Sequence, residues 1–282
     1  MSKGLLQLHM KPFWRYLVFS IVMVAASTLA SAQEYVLAVN EGVTYQDDAL
    51  PMDQRYKPLL ELLAKELKHP VRVQAVDRYS DFEKGLEAEK YDFAFIHPAH
   101  VGLRATRSGK YVGLATAKDY TEYRARVLVL KDSPLHSMEQ LRTVKIGVPS
   151  LESITTVMFT ASMKEMGVSD PQVRFTATRY QDAVPFMVEN KFVEAGVTAS
   201  GAVIKAWTGK GGRIIGETKP IPIKQFIASA RFNAEQREKV RALMLRLADT
   251  ESGKLALKGI NMKGFVPWND AAMDDAAKRL GL

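Results

Sequence analysis

The side chains able to do chemistry in this sequence gather at four polar junctions. Asp77-Arg78-Tyr79-Ser80, His97-Pro98-Ala99-His100, Pro149-Ser150-Leu151-Glu152-Ser153 and Thr178-Arg179-Tyr180-Gln181 each stand between a strand-like and a helix-like stretch. In an open α/β sheet the ligand crevice lies beyond the carboxyl ends of the strands. A helix start there presents unpaired N–H groups and the positive end of its dipole, which suits an anion. For any one junction alone, helix capping is the better explanation. Four of them in one chain point to a shared crevice that recognises a small polar solute.

His97 and His100, three residues apart at a helix start, can place both imidazoles on one side, as a metal site would require. Zinc needs three or four protein ligands, and the other histidines beyond the N-terminal segment, His69 and His136, fall in loop-like stretches. Neutral, hydrogen-bonding imidazoles are therefore expected, because a helix N-terminus disfavours the imidazolium form. No metal and no cofactor is expected. Enzyme signatures are missing: there is no G-x-S-x-G elbow, no H-E-x-x-H, no phosphate-binding G-x-x-x-x-G-K and no calcium loop. Gly209-Lys210-Gly211-Gly212 is read as a turn, since Ile214 occupies the place of the third glycine of a dinucleotide fingerprint. Zero cysteines exclude disulfides, cysteine-ligated zinc and thiol catalysis. The chain is expected not to be an enzyme.

These junctions must be held by alternating strands and helices. Strands are expected at Tyr35–Asn40, Val71–Val76, Asp92–Ile96, Val127–Leu130, Val144–Val148, Val173–Thr176, Glu194–Thr198 and Arg213–Glu217. Helices are expected at Arg55–Lys68, Asp81–Glu89, Ile154–Met166, Asp182–Glu189, Ala202–Thr208 and Ala234–Thr250. In the third of these helices Ile154, Val157, Met158 and Ala161 form a core-facing stripe, so its methionines serve packing. In the last, Val240, Leu243, Met244 and Leu247 do the same, and Arg237, Lys239, Arg241 and Arg246 form a solvated face rather than a nucleic-acid patch. Alternation of this kind implies parallel sheets covered on both faces. The length suits two lobes: 33–125 as the first, 126–227 as the second, and 228–282 as a return segment whose C-terminal helices pack across them. Arg126–Leu130 and Gln225–Ser229 are the expected crossings.

The 282 residues carry 39 Lys+Arg and 31 Asp+Glu. Lys3, Lys11 and Arg15 precede the apolar run Leu17–Leu29, which ends in Ala30-Ser31-Ala32. That is the three-part pattern of a secretory signal peptide, too short for a membrane span. Cleavage after Ala32 would leave a net charge of +5, compatible with an anionic solute. With no cysteine to carry a lipid, the exported chain is expected in the periplasm.

The order and spacing of motifs from about Tyr35 to Pro267 resembles the phosphate/phosphite/phosphonate class of periplasmic solute-binding proteins that serve ABC transporters. The resemblance rests on Tyr56-Lys57-Pro58-Leu59-Leu60, Tyr79-Ser80, and Tyr91–Ala99, which is similar to the family's "D-x-A-x-x-G-P-A" block. Tyr123-Arg124 and Ile221-Pro222 complete the series. It implies a type II two-lobed fold, each lobe an open sheet flanked by helices, joined by two crossing strands, with the ligand trapped between the lobes. It further implies that Tyr79 and Tyr123 reach the ligand.

Departures from the family pattern bear on the ligand. Where the family has Ser-Thr-Ser-Gly after a proline, this chain keeps Ser153 in register and Ser150 one step ahead, with Glu152 at the threonine position. Gln181 stands for a family histidine, Glu194 for an aspartate, and Lys224 for an acid that pairs with a ligand ammonium. Lys224 would repel that ammonium and attract an anion, and these departures argue against 2-aminoethylphosphonate specifically. The candidate ligand-binding set is Tyr79, His97, His100, Tyr123, Ser150, Ser153, Gln181 and Lys224. The implied function is capture of a small oxyanion, or another small polar solute, for an ABC permease. A second reading keeps the binding but makes the partner a sensor histidine kinase or chemoreceptor.

Overall fold

The computed structural model describes residues 34–42 and 50–282. The export signal expected at residues 1–32 lies outside the described residues.

Among the described residues, eleven strands form two mixed sheets. The first holds β1 (Tyr35–Asn40), β2 (Val71–Ala75), β3 (Phe93–Ile96), β4 (Tyr111–Ala117), β10 (Gln225–Ser229) and β11 (Phe265–Pro267), in the order β11-β4-β10-β3-β1-β2. The second holds β5 (Arg126–Val129), β6 (Ile146–Val148), β7 (Phe175–Ala177), β8 (Ala195–Thr198) and β9 (Arg213–Glu217), in the order β7-β6-β8-β5-β9. Strands β1, β2 and β3 are parallel, as are β6, β7 and β8. Central strands such as β3 and β8 are buried on both faces, hence their unbroken apolar runs.

Helices cover both faces. On one side of the first sheet, Tyr56, Leu59 and Leu63 of α1 (Met52–Leu67) pack with Val240 and Met244 of α7 (Ala234–Leu245) and Leu257 of α8 (Glu251–Gly259). On the other, Phe82 and Leu86 of α2 (Tyr79–Glu87) meet Val101 and Ala105 of α3 (Ala99–Arg107). The second sheet is sandwiched between Phe159 and Met163 of α4 (Ile154–Glu165) and a cluster from α5 (Val184–Glu189) and α6 (Gly201–Gly209), with Val184, Val188, Val203 and Trp207. The last helix, α9 (Asp270–Leu280), joins both halves: Met273, Ala276 and Ala277 pack with Ala99 and Leu103 of α3 and with Ile154 and Met158 of α4.

Several elements differ from expectation. The stretch 111–117, unassigned from the pattern, is β4. The segments expected to cross between sheets lie inside them instead: β5 pairs with β8 and β9, and β10 with β3 and β4. The chain crosses at 118–125 and 218–224, two stretches joined as an antiparallel bridge. Tyr123 N–H donates to Ile221 O at 3.1 Å and Ile221 N–H to Tyr123 O at 3.0 Å. These crossings are short and bonded mainly to each other, so they lack the long apolar runs by which sheet strands are found. The expected helix over 182–189 begins as a 3₁₀ turn at Gln181–Ala183, with Pro185 near the start of the α-helical part.

Candidate functional site

The three parallel strands of the first sheet end at Asn40, Ala75 and Ile96, and those of the second at Val148, Ala177 and Thr198. All four polar junctions leave these ends. Contacts between side chains show that the two sets face a common cleft. Tyr123, on the first crossing, lies edge-on to His97 with ring centres 6.0 Å apart. Its hydroxyl pairs with Thr155 Oγ1 at 3.0 Å and accepts from Gln181 Nε2 at 3.4 Å. Tyr79, following β2, is buried. The loss of water, then the nearby Tyr123 and Glu152, hold its phenol well above the usual tyrosine range. Glu152 itself is exposed, just before α4 on the second sheet's side.

On the second sheet's side the polar groups are bonded to one another. Ser153 caps α4: its Oγ accepts from Thr156 N–H at 3.3 Å and donates to Thr156 Oγ1 at 3.1 Å, and Thr156 Oγ1 donates to Pro149 O at 3.0 Å. Ser150, half-buried, closes the turn before α4 by accepting Ser153 N–H at its carbonyl, 2.8 Å away. Gln181 is fully buried. Its Oε1 accepts from Thr198 Oγ1 at 3.1 Å and Ala199 N–H at 2.5 Å, while its amide nitrogen reaches Tyr123. Ser153 and Gln181 therefore stand in the wall with their side chains engaged inside the protein, and Gln181 orients Tyr123.

The first sheet's side is different. His97 and His100 are buried. Among the described residues, both ring nitrogens of His97, and Nδ1 of His100, have no hydrogen-bond partner. The two imidazoles are neutral, as expected, but burial is the chief cause rather than the helix start. Burial and the neighbouring Lys224 lower His97 to about 3, and burial and Arg104 lower His100 to about 4. Gly42 allows His97 its position, since a Cβ there would stand 2.5 Å from the imidazole Cδ2.

Lys224 is buried beside them, on the second crossing. Its ammonium stands 4.3 Å from the centre of the Tyr120 ring, a cation–π contact. Burial lowers it to about 8, and the Glu41 charge opposes that shift. Glu41 is itself held by Arg55, through bonds of 2.9 and 2.7 Å, and by Tyr56 Oη at 3.2 Å. The Lys224 backbone is left-handed, with φ 57°. That conformation costs a non-glycine residue on the order of 1–2 kcal/mol. It is fixed by bonds from its own N–H to His97 O and from Ala117 N–H to its carbonyl, 3.4 and 3.0 Å.

Reading the junctions missed Glu41, Arg55, Thr155, Thr198 and Tyr120. One signal was present: Asn40-Glu41-Gly42 leaves β1 at the same end as the other junctions. Asn40 Nδ2 ties it to Val76 O at 2.7 Å.

The cleft brings together a buried ammonium, neutral imidazoles and phenols, and a helix start whose first N–H groups lack partners within the helix. Residues 42–273 match the family model for the ABC transporter, phosphonate, periplasmic substrate-binding protein. No curated protein matches the sequence. Among solved structures, XAC2383 from Xanthomonas citri bound to ATP is similar in fold, with TM-score 0.74, 14% identity, and coverage of 88% of this chain and 97% of that one. PhnD1 from Prochlorococcus marinus in complex with methylphosphonate gives TM-score 0.67, 16% identity and coverage of 88% and 97%. A binding protein component of an ABC phosphonate transporter from Pseudomonas aeruginosa gives TM-score 0.62, 14% identity and coverage of 88% and 85%. The fold is that of type II periplasmic binding proteins, and the family is one of binding proteins rather than enzymes. With the family model matched over well more than half of its length, the chain belongs to the periplasmic substrate-binding proteins of phosphonate-type ABC transporters.

Proposed function

We propose that this protein captures a small oxyanion of the phosphate or phosphonate type between lobes built on its two sheets and delivers it to a membrane permease. We further propose that residues 1–32 export it to the periplasm. Among the described residues no helix is long and apolar enough to cross a membrane. The observation that carries the ligand reading is Lys224. A buried ammonium with no carboxylate of its own is costly unless an anion joins it. The unpartnered His97 nitrogens beside it offer that anion further hydrogen bonds. Tyr79 and Tyr123 wall the same space.

The test is thermal unfolding of the purified protein, after denaturation and refolding to strip carried-over solute. The panel holds phosphate, phosphite, methylphosphonate, 2-aminoethylphosphonate, sulfate and ATP; methylphosphonate and ATP are bound in two of the fold relatives. A ligand at 100 times its dissociation constant adds about 2.7 kcal/mol to stability. A clear upward shift with a phosphorus oxyanion is expected. Absence of any shift across the panel defeats the proposal.

A further inference from the structure

Beside the crossings the molecule holds a second cavity, of about 710 Å³, whose wall shares no residue with the candidate ligand-binding set. The wall comes from both crossings through Glu122 and Pro222, from β4 through Thr116, and from the first turn of α9. Its size and its mainly apolar lining with a few polar groups are those of a small-molecule site. Trp268, between β11 and α9, lines it and is half-buried. Gly113 lets the indole lie against β4, since a Cβ there would run into the ring. The indole Nε1 donates to Asp270 Oδ1 at 3.1 Å. Among the described residues, Glu122 and Asp270 are the only ionisable side chains of that wall, and both are acidic. Glu122 is paired with Arg124 at 3.2 Å, whereas Asp270 joins no ion pair among the described residues. Thr116 is 2% exposed, and its hydroxyl has no hydrogen-bond partner among the described residues. An acid in the first turn of α9 suits the helix dipole without any ligand. A half-exposed indole and a buried, unbonded hydroxyl do not follow from that dipole.

We propose that this cavity is a second binding site, for a small alkylammonium cation held against the Trp268 ring and the Asp270 carboxylate, with Thr116 as a hydrogen-bonding group. An alkylammonium carries both an apolar body, which the cavity's lining accepts, and a charge, which an indole face and an unpaired carboxylate attract. The site is opposite in sign to the cleft, where the buried charge is the Lys224 ammonium. It does not rest on the oxyanion reading and stands or falls without it.

Calorimetry on the purified protein tests this, with tetramethylammonium, choline and n-butylammonium as probes and 3,3-dimethyl-1-butanol as the uncharged isostere of choline. Choline is expected to bind roughly two- to thirtyfold more tightly than its isostere. Trp268→Leu should lose about the same factor. Asp270→Asn keeps an acceptor for the indole N–H and should weaken choline roughly two- to fivefold. No binding of any of the three cations up to about 10 mM overturns the proposal. Equal binding of choline and its isostere overturns the cationic class and leaves a merely apolar cavity. Unchanged choline affinity in Asp270→Asn places the cation elsewhere and overturns the site, and that variant decides alone if Trp268→Leu does not fold.

Discussion

On the side of the second sheet, Ser153, Thr156, Gln181 and Thr198 donate and accept among themselves and the adjoining backbone. On the side of the first sheet, His97, His100 and Lys224 are also buried, yet imidazole nitrogens lack partners among the described residues and the ammonium rests on an aromatic face. A buried polar group without a partner costs about 1–3 kcal/mol. One wall is therefore complete by itself, and the other holds unpaired groups that the proposed oxyanion would pair. Tyr123 sits between them, fixed by the complete wall and presented to the incomplete one.

This contrast is broken most directly at Lys224. Removing one member of a buried charge pair costs about 2–5 kcal/mol, at least roughly thirtyfold in affinity. Lys224→Met should lose that much for the oxyanion identified by thermal shift, measured by calorimetry, while the unliganded protein stays folded. Retained affinity would place the ammonium outside the binding surface.

On the complete wall the balance should reverse. Gln181→Leu strands the Thr198 hydroxyl and the Ala199 N–H and should lower stability by about 1–3 kcal/mol in denaturant titration. Affinity should fall less than in Lys224→Met, because the loss acts only through Tyr123. A smaller effect of the same kind is expected for Ser153→Ala, at about 0.5–2 kcal/mol of stability for the lost cap. Equal losses of affinity in these variants and in Lys224→Met would erase the distinction between the walls.

The pH dependence sharpens it further. With Lys224 lowered to about 8 from an ordinary 10.5, the unfolded chain binds the extra proton between those values. Its contribution to the stability of the unliganded protein therefore rises as pH increases above about 8. Oxyanion affinity should fall over the same range as the ammonium is lost, so the two curves diverge. His97 and His100, lowered to about 3 and 4 from 6.5, act at the acid end. The unfolded chain takes up protons there first, so stability declines as pH drops below about 6.5. Denaturant melts of His97→Gln against wild type at pH 5 and 7.5 should show a shallower acid loss in the variant.

The sheets and most helices were legible because burial imposes periodicity: α1 announces itself through Tyr56, Leu59 and Leu63, and β3 through four consecutive buried residues. The crossings were not, since 118–125 and 218–224 bond chiefly to each other. At the site, placing Tyr79, His97, Tyr123 and Lys224 at one cleft could be read from their junctions and the family resemblance. The engagement of Ser153 and Gln181 could not. Which polar atom finds a partner inside the protein depends on angstrom-scale packing that strand and helix patterns do not encode. Glu41 was overlooked because its meaning comes from Arg55, a helix away in sequence.

Helix α9 touches both halves through a face that includes Ala276 and Ala277. Alanine projects little beyond the backbone, so across these two positions the face is a smooth bearing, with the longer Met273 packed beside them. Any change in angle between the sheets has to be accommodated there. The carboxyl terminus is thus mechanically coupled to the cleft, although the chemistry of recognition lies elsewhere. For protein engineering, the end of the chain is a lever arm whose attachments load the same bearing.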